Sequence, residues 1–243
     1  MDPEAIIWHD AECGGYADDL PVWEALAQRA DGDILDVGSG TGRVTLGLAA
    51  RGHRLWAVDR DPLLVTELAR RALRDGLPVE ARTQDCRNLD LGHLFALAVA
   101  PMQLVQLLGG HVGRLAFMSA VRKHLAPGGR LAMAIVEDVP PGLLADDGDP
   151  LPDVREVAGM VYSSTPVAAG LANGSLEVRR LRQVVGPGGE LREETHVDRL
   201  DLLDAATVET EAEVCGLDPR DRLEVPAGTH HVGSTIVVAQ RSA

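Results

Sequence analysis

The sequence is poor in basic residues and contains a single lysine, Lys123. Its 243 residues carry 23 basic and 37 acidic side chains, which gives a formal net charge of -14. A protein that binds nucleic acid uses a stripe of lysine and arginine to neutralise phosphates. We therefore expect no nucleic-acid partner.

Cysteine is also scarce, since the chain has three residues, Cys13, Cys86 and Cys215, and they are far apart. No Cys-x-x-Cys pair occurs, and the eight histidines lack the His-Glu-x-x-His spacing of a helical metal site. The pattern argues against a disulfide framework and against a zinc site. We expect reduced thiols and no metal ion.

Long apolar runs are missing, and the longest one extends from Leu94 to Met102. A membrane-spanning helix needs about 20 apolar residues. Residues 1–10 also lack the basic and apolar regions of a signal peptide. These features predict no membrane association and a cytoplasmic location.

The composition is that of a globular protein, with 45% hydrophobic and 25% charged residues. From Asp33 to Asp138, short apolar runs alternate with longer amphipathic stretches, which is typical of a parallel sheet with crossover helices. The expected strands are Asp33–Val37, His53–Val58, Pro78–Gln84, Leu94–Ala100 and Arg130–Val136. The expected helices are Leu20–Ala30, Arg43–Ala50, Leu63–Asp75 and Met102–Leu125, the last with a break at Gly109-Gly110.

After Asp138 the pattern changes to a loop rich in proline, glycine and aspartate that lasts until Asp153. Three antiparallel strands are expected next, followed by a helix and a final hairpin. These elements are Met160–Val167, Leu176–Val185, Leu191–Leu200, Leu202–Val214, Arg222–Val225 and Gly233–Ala239. The fold class predicted is α/β, a Rossmann-like, doubly wound and mostly parallel sheet of seven strands. An antiparallel β insertion separates strand 5 from the last helix.

The segment DILDVGSGTGRV places Asp36-x-Gly38-x-Gly40-x-Gly42 at the first strand-to-helix turn. Glycine lets the chain turn tightly and lets a ligand approach the backbone, so this turn predicts a nucleoside cofactor. Arg43 stands where the dinucleotide-binding pattern has its third glycine, which disfavours NAD. Asp59, at the end of the second strand, is placed to accept the hydroxyls of a ribose from either kind of cofactor.

The Asp36–Gly42 motif resembles the first motif of the class I S-adenosylmethionine-dependent methyltransferases. The resemblance covers roughly residues 20–138 and includes APMQLVQLL, residues 100–108, and LAPGGRLAMAI, residues 125–135. It implies that Gly38 to Gly40 line the methionine and ribose portion, and that Asp59 holds the ribose. It further implies that Asp85-Cys86 meets the adenine. Cys86 itself is interpreted as a small apolar filler and not as a reactive thiol. The cofactor site assigned in this way contains Asp36, Gly38, Ser39, Gly40, Gly42, Asp59, Arg60, Asp85, Cys86 and Ala100.

The resemblance implies S-adenosylmethionine as the cofactor and S-adenosylhomocysteine as its product, with methyl transfer to N or O of a small molecule. Alignment and desolvation can supply most of the catalysis, so a general base is not required. If one exists, the candidates are Tyr16, His111, His230 and His231, whereas Gln103, after the fourth strand, is the candidate for contact with the methyl acceptor.

The expected organisation is a single domain over residues 1–243. It has cap helices in residues 1–30, a cofactor-binding core in residues 31–138, inserted strands in residues 158–200, and the last helix and hairpin in residues 201–243. The inserted strands resemble the lid of glycine and amino-sugar N-methyltransferases, and an interface in a homodimer is the other interpretation.

Two other functions remain open at this point. An NAD(P)-dependent oxidoreductase is disfavoured by Arg43 and by the absence of a Tyr-x-x-x-Lys pair around Lys123. A regulatory protein that binds S-adenosylmethionine without catalysis is not excluded by any residue.

Overall fold

The computed structural model describes residues 4–137, 151–172, 174–228 and 231–242. The helices are α1 (Ala5–Cys13), α2 (Leu20–Gln28), α3 (Arg43–Ala49), α4 (Pro62–Arg74), α5 (Gly110–His124) and α6 (Ala205–Val214). The strands are β1 (Ile34–Val37), β2 (Leu55–Asp59), β3 (Val79–Thr83), β4 (Phe95–Ala100), β5 (Leu125–Ile135), β6 (Asp153–Val157), β7 (Met160–Ala172), β8 (Ser175–Val185), β9 (Leu191–Asp201), β10 (Leu217–Val225) and β11 (Ser234–Arg241).

These elements divide into two compact units, of which one contains α1 with β6 to β9 and the other contains the remaining elements. The expected cap helices are therefore divided, because α1 groups with the inserted strands and α2 groups with the core. The organisation as a single domain stays a prediction. No helix in the described ranges is both long enough and apolar enough to cross a membrane.

The larger unit contains a seven-stranded sheet in the order β3-β2-β1-β4-β5-β11-β10. Strands β1 to β5 pair in parallel, whereas β11 is antiparallel to both β5 and β10. The predicted fold class and the C-terminal hairpin are thereby confirmed. The chain moves outward from β1 to β3 and then returns to β4, so the topological switch point lies between β1 and β4. Ligands of open α/β sheets bind at the carboxyl ends of the strands beside such a point.

Helices cover both faces of this sheet, which is why all four residues of β1 are buried. Ile34 packs on one side with α2 and α3, through Trp23 and Leu48. Leu35 and Val37 point to the opposite side, where the core includes residues of α5 and α6. Successive side chains of β1 therefore pack into two apolar layers, one on each face of the sheet. This packing holds the carboxyl end of β1, where the glycine turn begins.

The segment after β4 is held against the end of β5. It forms a short 3₁₀ helix, Leu104–Leu107, and α5 begins separately at Gly110, so the predicted helix is broken at the expected glycines. The buried Gln106 side chain donates to the Val136 carbonyl (3.1 Å) and accepts from the Val136 amide (2.8 Å). Two hydrogen bonds thus fix the loop beside the switch point.

The smaller unit contains a four-stranded antiparallel sheet in the order β6-β7-β8-β9. The expectation of three inserted strands was wrong, because a fourth, β6, begins at Asp153, where the expected loop ends. This edge strand, DVREV, has no buried residue and so lacks the apolar pattern that would have revealed it. The prediction for residues 138–150 lies outside the described residues.

Helix α1 packs on this sheet through a small apolar cluster and several ion pairs. Trp8 contacts Tyr162 edge to face, with ring centroids 5.3 Å apart. Glu12 receives two hydrogen bonds of 2.7 Å from Arg182. Burial alone would raise the pKa of Glu12, but the hydrogen bonds and charges of its partners outweigh burial and lower it. Whether the inserted strands form a lid or an interface stays a prediction.

Candidate cofactor site

The glycine turn after β1 is tied to the end of β2 by three backbone amides. Gly38 and Ser39 donate to the carbonyl of Val58, at 2.8 and 3.1 Å, and Gly40 donates to Oδ2 of Asp59 at 2.9 Å. Gly38 has φ +71°. A Cβ atom there would lie 2.9 Å from Cδ1 of Leu104, so the turn also closely approaches the segment after β4.

Asp59 ends β2 and lies beside this turn, as the sequence predicted for a group that accepts ribose hydroxyls. Its Oδ2 accepts from the amide of Gly40 and its Oδ1 accepts from the amide of Asp61, both at 2.9 Å. Each carboxylate oxygen has a second lone pair. The two oxygens are therefore oriented by the backbone and still able to accept from a ligand. Arg60, the next residue, is exposed.

Asp36 lies beneath the turn and is 1% exposed. Its Oδ2 accepts from the hydroxyl of Thr45 at 2.6 Å, but its Oδ1 and the hydroxyl of Ser39 are buried without a hydrogen-bond partner. Buried polar atoms in proteins nearly always have a partner, so two unpartnered atoms at one turn indicate a polar ligand. S-adenosylmethionine carries an ammonium and a carboxylate at its methionine end, and these residues fit such a group.

Burial raises the pKa of Asp36 to about 7, although the hydrogen bond from Thr45 and the charge of Arg43 oppose this. Because the unfolded carboxyl titrates near 4, the folded state binds more protons between about pH 4 and pH 7. The free energy of unfolding of the ligand-free protein is therefore expected to fall as the pH rises through this window.

We expect Asp36→Asn to remove this part of the pH dependence, which is worth roughly 4 kcal/mol for a pKa that rises from about 4 to about 7. Asparagine stays neutral and can still accept from Thr45. Urea unfolding of both proteins at a series of pH values measures the difference. Parallel profiles for the two proteins would contradict the assignment of this titration to Asp36.

Asp85 follows β3 and precedes a 3₁₀ helix, Cys86–Asn88. Its carboxylate is exposed and is paired with Arg87 (Nη2 to Oδ2, 2.6 Å), whose hydrogen bonds lower the pKa of Asp85 to about 2. The predicted contact with adenine would have to share this carboxylate with Arg87. Cys86 is half-buried, and burial raises the pKa of its thiol to about 11, so it is protonated at neutral pH.

Ala100 and Gln103 lie at the carboxyl edge of the sheet, beside the switch point. Ala100 is buried at the end of β4, and Gln103 is half-buried just before the 3₁₀ helix. The intervening Met102 has φ +55°, which marks a sharp change of direction. The roles of Ala100 in cofactor binding and of Gln103 in acceptor binding stay predictions.

The candidates for a general base are spread over different segments of the chain. Nδ1 of His111 lies 2.8 Å from Oε1 of Glu211, which also pairs with Arg114, so a proton-accepting role would compete with an ion-pair cluster between α5 and α6. Tyr16 belongs to the unit that contains α1. His231 is exposed, and His230 lies outside the described residues. Across the described parts of the chain, no cluster of three or more metal-ligating side chains was found.

Sequence reasoning missed two residues beside the glycine turn. Thr45, in the first turn of α3, donates a hydrogen bond to Asp36. A hydroxyl residue so soon after an acid in a buried strand could have predicted this contact. Asp19 forms a bidentate pair with Arg43 across 24 positions of the chain, and no local pattern predicts such a pairing.

Residues 34–129, which contain the glycine turn with Asp36, Asp59 and Asp85, match the model of a methyltransferase domain. The chain is 31% identical over 113 residues to a probable cobalt-precorrin-6B C(15)-methyltransferase (decarboxylating) from Methanothermobacter thermautotrophicus, covering 46% of this chain and 56% of the relative. It is 34% identical over 121 residues to a protein-L-isoaspartate O-methyltransferase from Methylorubrum populi, covering 49% and 50%. The chain thus spans about half the length of the curated relatives it matches.

Solved structures resemble almost the whole chain. CalS10, an amino pentose methyltransferase from Micromonospora echinaspora, superimposes with a TM-score of 0.72 at 22% identity and 97% coverage of both chains. The sugar N-methyltransferase KedS8 from Streptoalloteichus gives a TM-score of 0.75 at 18% identity, covering 98% of this chain and 92% of its own. At these identities the likeness establishes the fold.

Residues 34–129 therefore match a methyltransferase domain and lie in a sheet of the Rossmann-like kind that the sequence predicted. The methyltransferase domain inferred from the sequence is thereby confirmed for this part of the chain.

Proposed function

We propose that this protein transfers a methyl group from S-adenosylmethionine to a nitrogen or oxygen atom of a small molecule. The observation that carries the proposal is the glycine turn with its two unpartnered buried atoms, Oδ1 of Asp36 and the hydroxyl of Ser39. A turn that only joined a strand to a helix would have no reason to bury such atoms. The match of residues 34–129 to a methyltransferase domain supports the same conclusion.

In this proposal the turn binds the methionine end and the ribose of the cofactor. Asp59 accepts from the ribose hydroxyls, Asp36 and Ser39 partner the polar groups of the methionine, and Asp85 accepts from the adenine. The bound cofactor supplies an electrophilic methyl group on a sulfonium. The chain contributes alignment at the edge beside β4 and excludes water there, which together account for much of the acceleration of an in-line displacement.

We propose an amine as the acceptor, and amino sugars as the first class to test. The structures that match nearly the whole chain include amino pentose and sugar N-methyltransferases, whereas the curated relatives match only half of it. A protonated amine must lose a proton before it attacks, so a nearby acceptor of that proton would help. Tyr16, His111 and His231 are the residues to substitute for this role, and Gln103 is the residue to substitute for binding of the acceptor.

The remaining expectations from the sequence are part of the same proposal. The single lysine and the net charge of -14 support a partner other than nucleic acid. A cytoplasmic location and a homodimer are consistent with a small-molecule enzyme of this composition, and both stay predictions.

The test is turnover of methyl-labelled S-adenosylmethionine with a panel of amino sugars, simple amines, phenols and carboxylic acids. We expect label in an amine product and formation of S-adenosylhomocysteine. Binding of the cofactor by calorimetry without transfer to any member of the panel would favour a regulatory protein. Binding of NAD without binding of S-adenosylmethionine would overturn the proposal.

A further inference from the structure

An ion pair joins the residue after the glycine turn to the residue before α2. The guanidinium of Arg43 contacts both carboxylate oxygens of Asp19, with Nη1 to Oδ1 at 2.5 Å and Nη2 to Oδ2 at 2.8 Å. The side chains are 9% and 2% exposed respectively. Two parallel hydrogen bonds from a planar group to a carboxylate restrain orientation as well as distance.

The surroundings of Asp19 show that this pairing replaces a more common arrangement. Asp19 directly precedes α2, where an aspartate usually accepts from the first amides of the helix. Its carboxylate makes no such bond and instead accepts from Arg43 and, at 2.8 Å, from the indole Nε1 of Trp23. Trp23 is fully buried in the core with Val44 and Leu48 of α3. Asp19 therefore connects the rigid core under α2 to the end of the glycine turn.

We propose that Arg43 is a positioning residue for the cofactor, and that its bidentate pair with Asp19 fixes the end of the glycine turn against α2 in the shape that receives S-adenosylmethionine. This inference rests on the proposed function, because it assigns the turn to that ligand. Gly42, the residue before Arg43, has φ +100°, and glycine is conformationally free, so contacts outside the turn must select the shape of the backbone at this point. The pair supplies such a contact from a buried anchor.

Arg43 also acts on the turn through its charge. Its guanidinium lowers the pKa of Asp36, opposing the effect of burial. Without that charge, Asp36 would keep its proton to a higher pH and would be less able to partner a cationic group. A brace that acted only on stability would leave the pH dependence of ligand binding unchanged.

The experiment measures the dissociation constant of S-adenosylhomocysteine by calorimetry, together with the melting temperature, for wild type and four variants. Arg43→Gln removes the charge, Arg43→Lys keeps the charge but cannot span both oxygens, and Asp19→Asn with Arg43→Gln removes both charges so that no buried carboxylate is left unpaired. Arg51→Gln is the matched control. Arg51 pairs with Glu24 at 2.5 Å and so also links α2 to α3, but at 48% side-chain exposure and at the other end of α3.

We expect Arg43→Gln and the double variant to weaken binding by about tenfold or more, Arg43→Lys to be intermediate, and Arg51→Gln to stay within about twofold. The pH at which binding is half-maximal should rise in Arg43→Gln. If the Arg43 variants melt earlier but bind with the wild-type constant and pH profile, the pair is a structural brace and the inference is wrong. If wild type binds neither the cofactor nor its product, the proposed function itself fails.

Discussion

Gly42→Val is expected to destabilise the protein by roughly 3–5 kcal/mol and to abolish detectable binding of S-adenosylhomocysteine. Gly42 has φ +100°, which a β-branched residue adopts only with strain. An added Cβ would also lie 3.0 Å from Cγ of both Leu46 and Leu68. The strain and the overpacking both act on the turn that we assign to the cofactor. Urea unfolding and calorimetry with S-adenosylhomocysteine measure the two effects.

Gly52→Val is the matched control for this prediction. Gly52 has φ +92°, follows α3 and has no atom within 4 Å of an added Cβ. The substitution should therefore cost backbone strain of about 1–3 kcal/mol without overpacking and should leave the dissociation constant within about twofold. Equal loss of binding in the two variants would mean that the effect of Gly42 is one of general stability, and not of the shape of the turn.

The larger unit could be predicted from the sequence because its strands and turns have local signals. The apolar run of β1 is followed at once by glycines with positive φ, which turn the chain into α3. An aspartate at the end of a parallel strand, such as Asp59, also lies at the carboxyl edge of the sheet. The spacing of residues along the chain was therefore enough to predict a candidate cofactor site.

Features that depend on distant partners could not be predicted in this way. Asp19 and Arg43 are 24 residues apart, and Glu12 and Arg182 are 170 apart, so neither pair leaves a periodic pattern. Helix α1 groups with the inserted strands through such contacts. Because the sequence shows no sign of them, we expected α1 to belong with its neighbour α2. The residues that contact the methyl acceptor were hard to predict for the same reason. A general base is identified by the substrate group that it faces, and the sequence does not show that group.

Asp59 offers the most direct test of the cofactor site. Asp59→Ala is expected to weaken binding of S-adenosylhomocysteine about a hundredfold or more, because the ribose hydroxyls lose their acceptor and two backbone amides lose theirs. Those amides belong to Gly40 and Asp61, so the turn also loses its tie to β2. Asp59→Asn keeps the shape of the side chain and should bind more tightly than the alanine variant.

The matched control for Asp59 is Asp61→Ala, two residues further along the chain. Asp61 caps α4 by accepting from the amide of Leu63 at 2.8 Å, so its removal should cost about 1 kcal/mol of stability. It keeps its own amide, which still donates to Asp59, and binding should change by less than about threefold. Calorimetry and melting temperatures on both variants separate ligand recognition from helix capping. Wild-type affinity in Asp59→Ala would place the ribose elsewhere and remove the basis for assigning the turn to the cofactor.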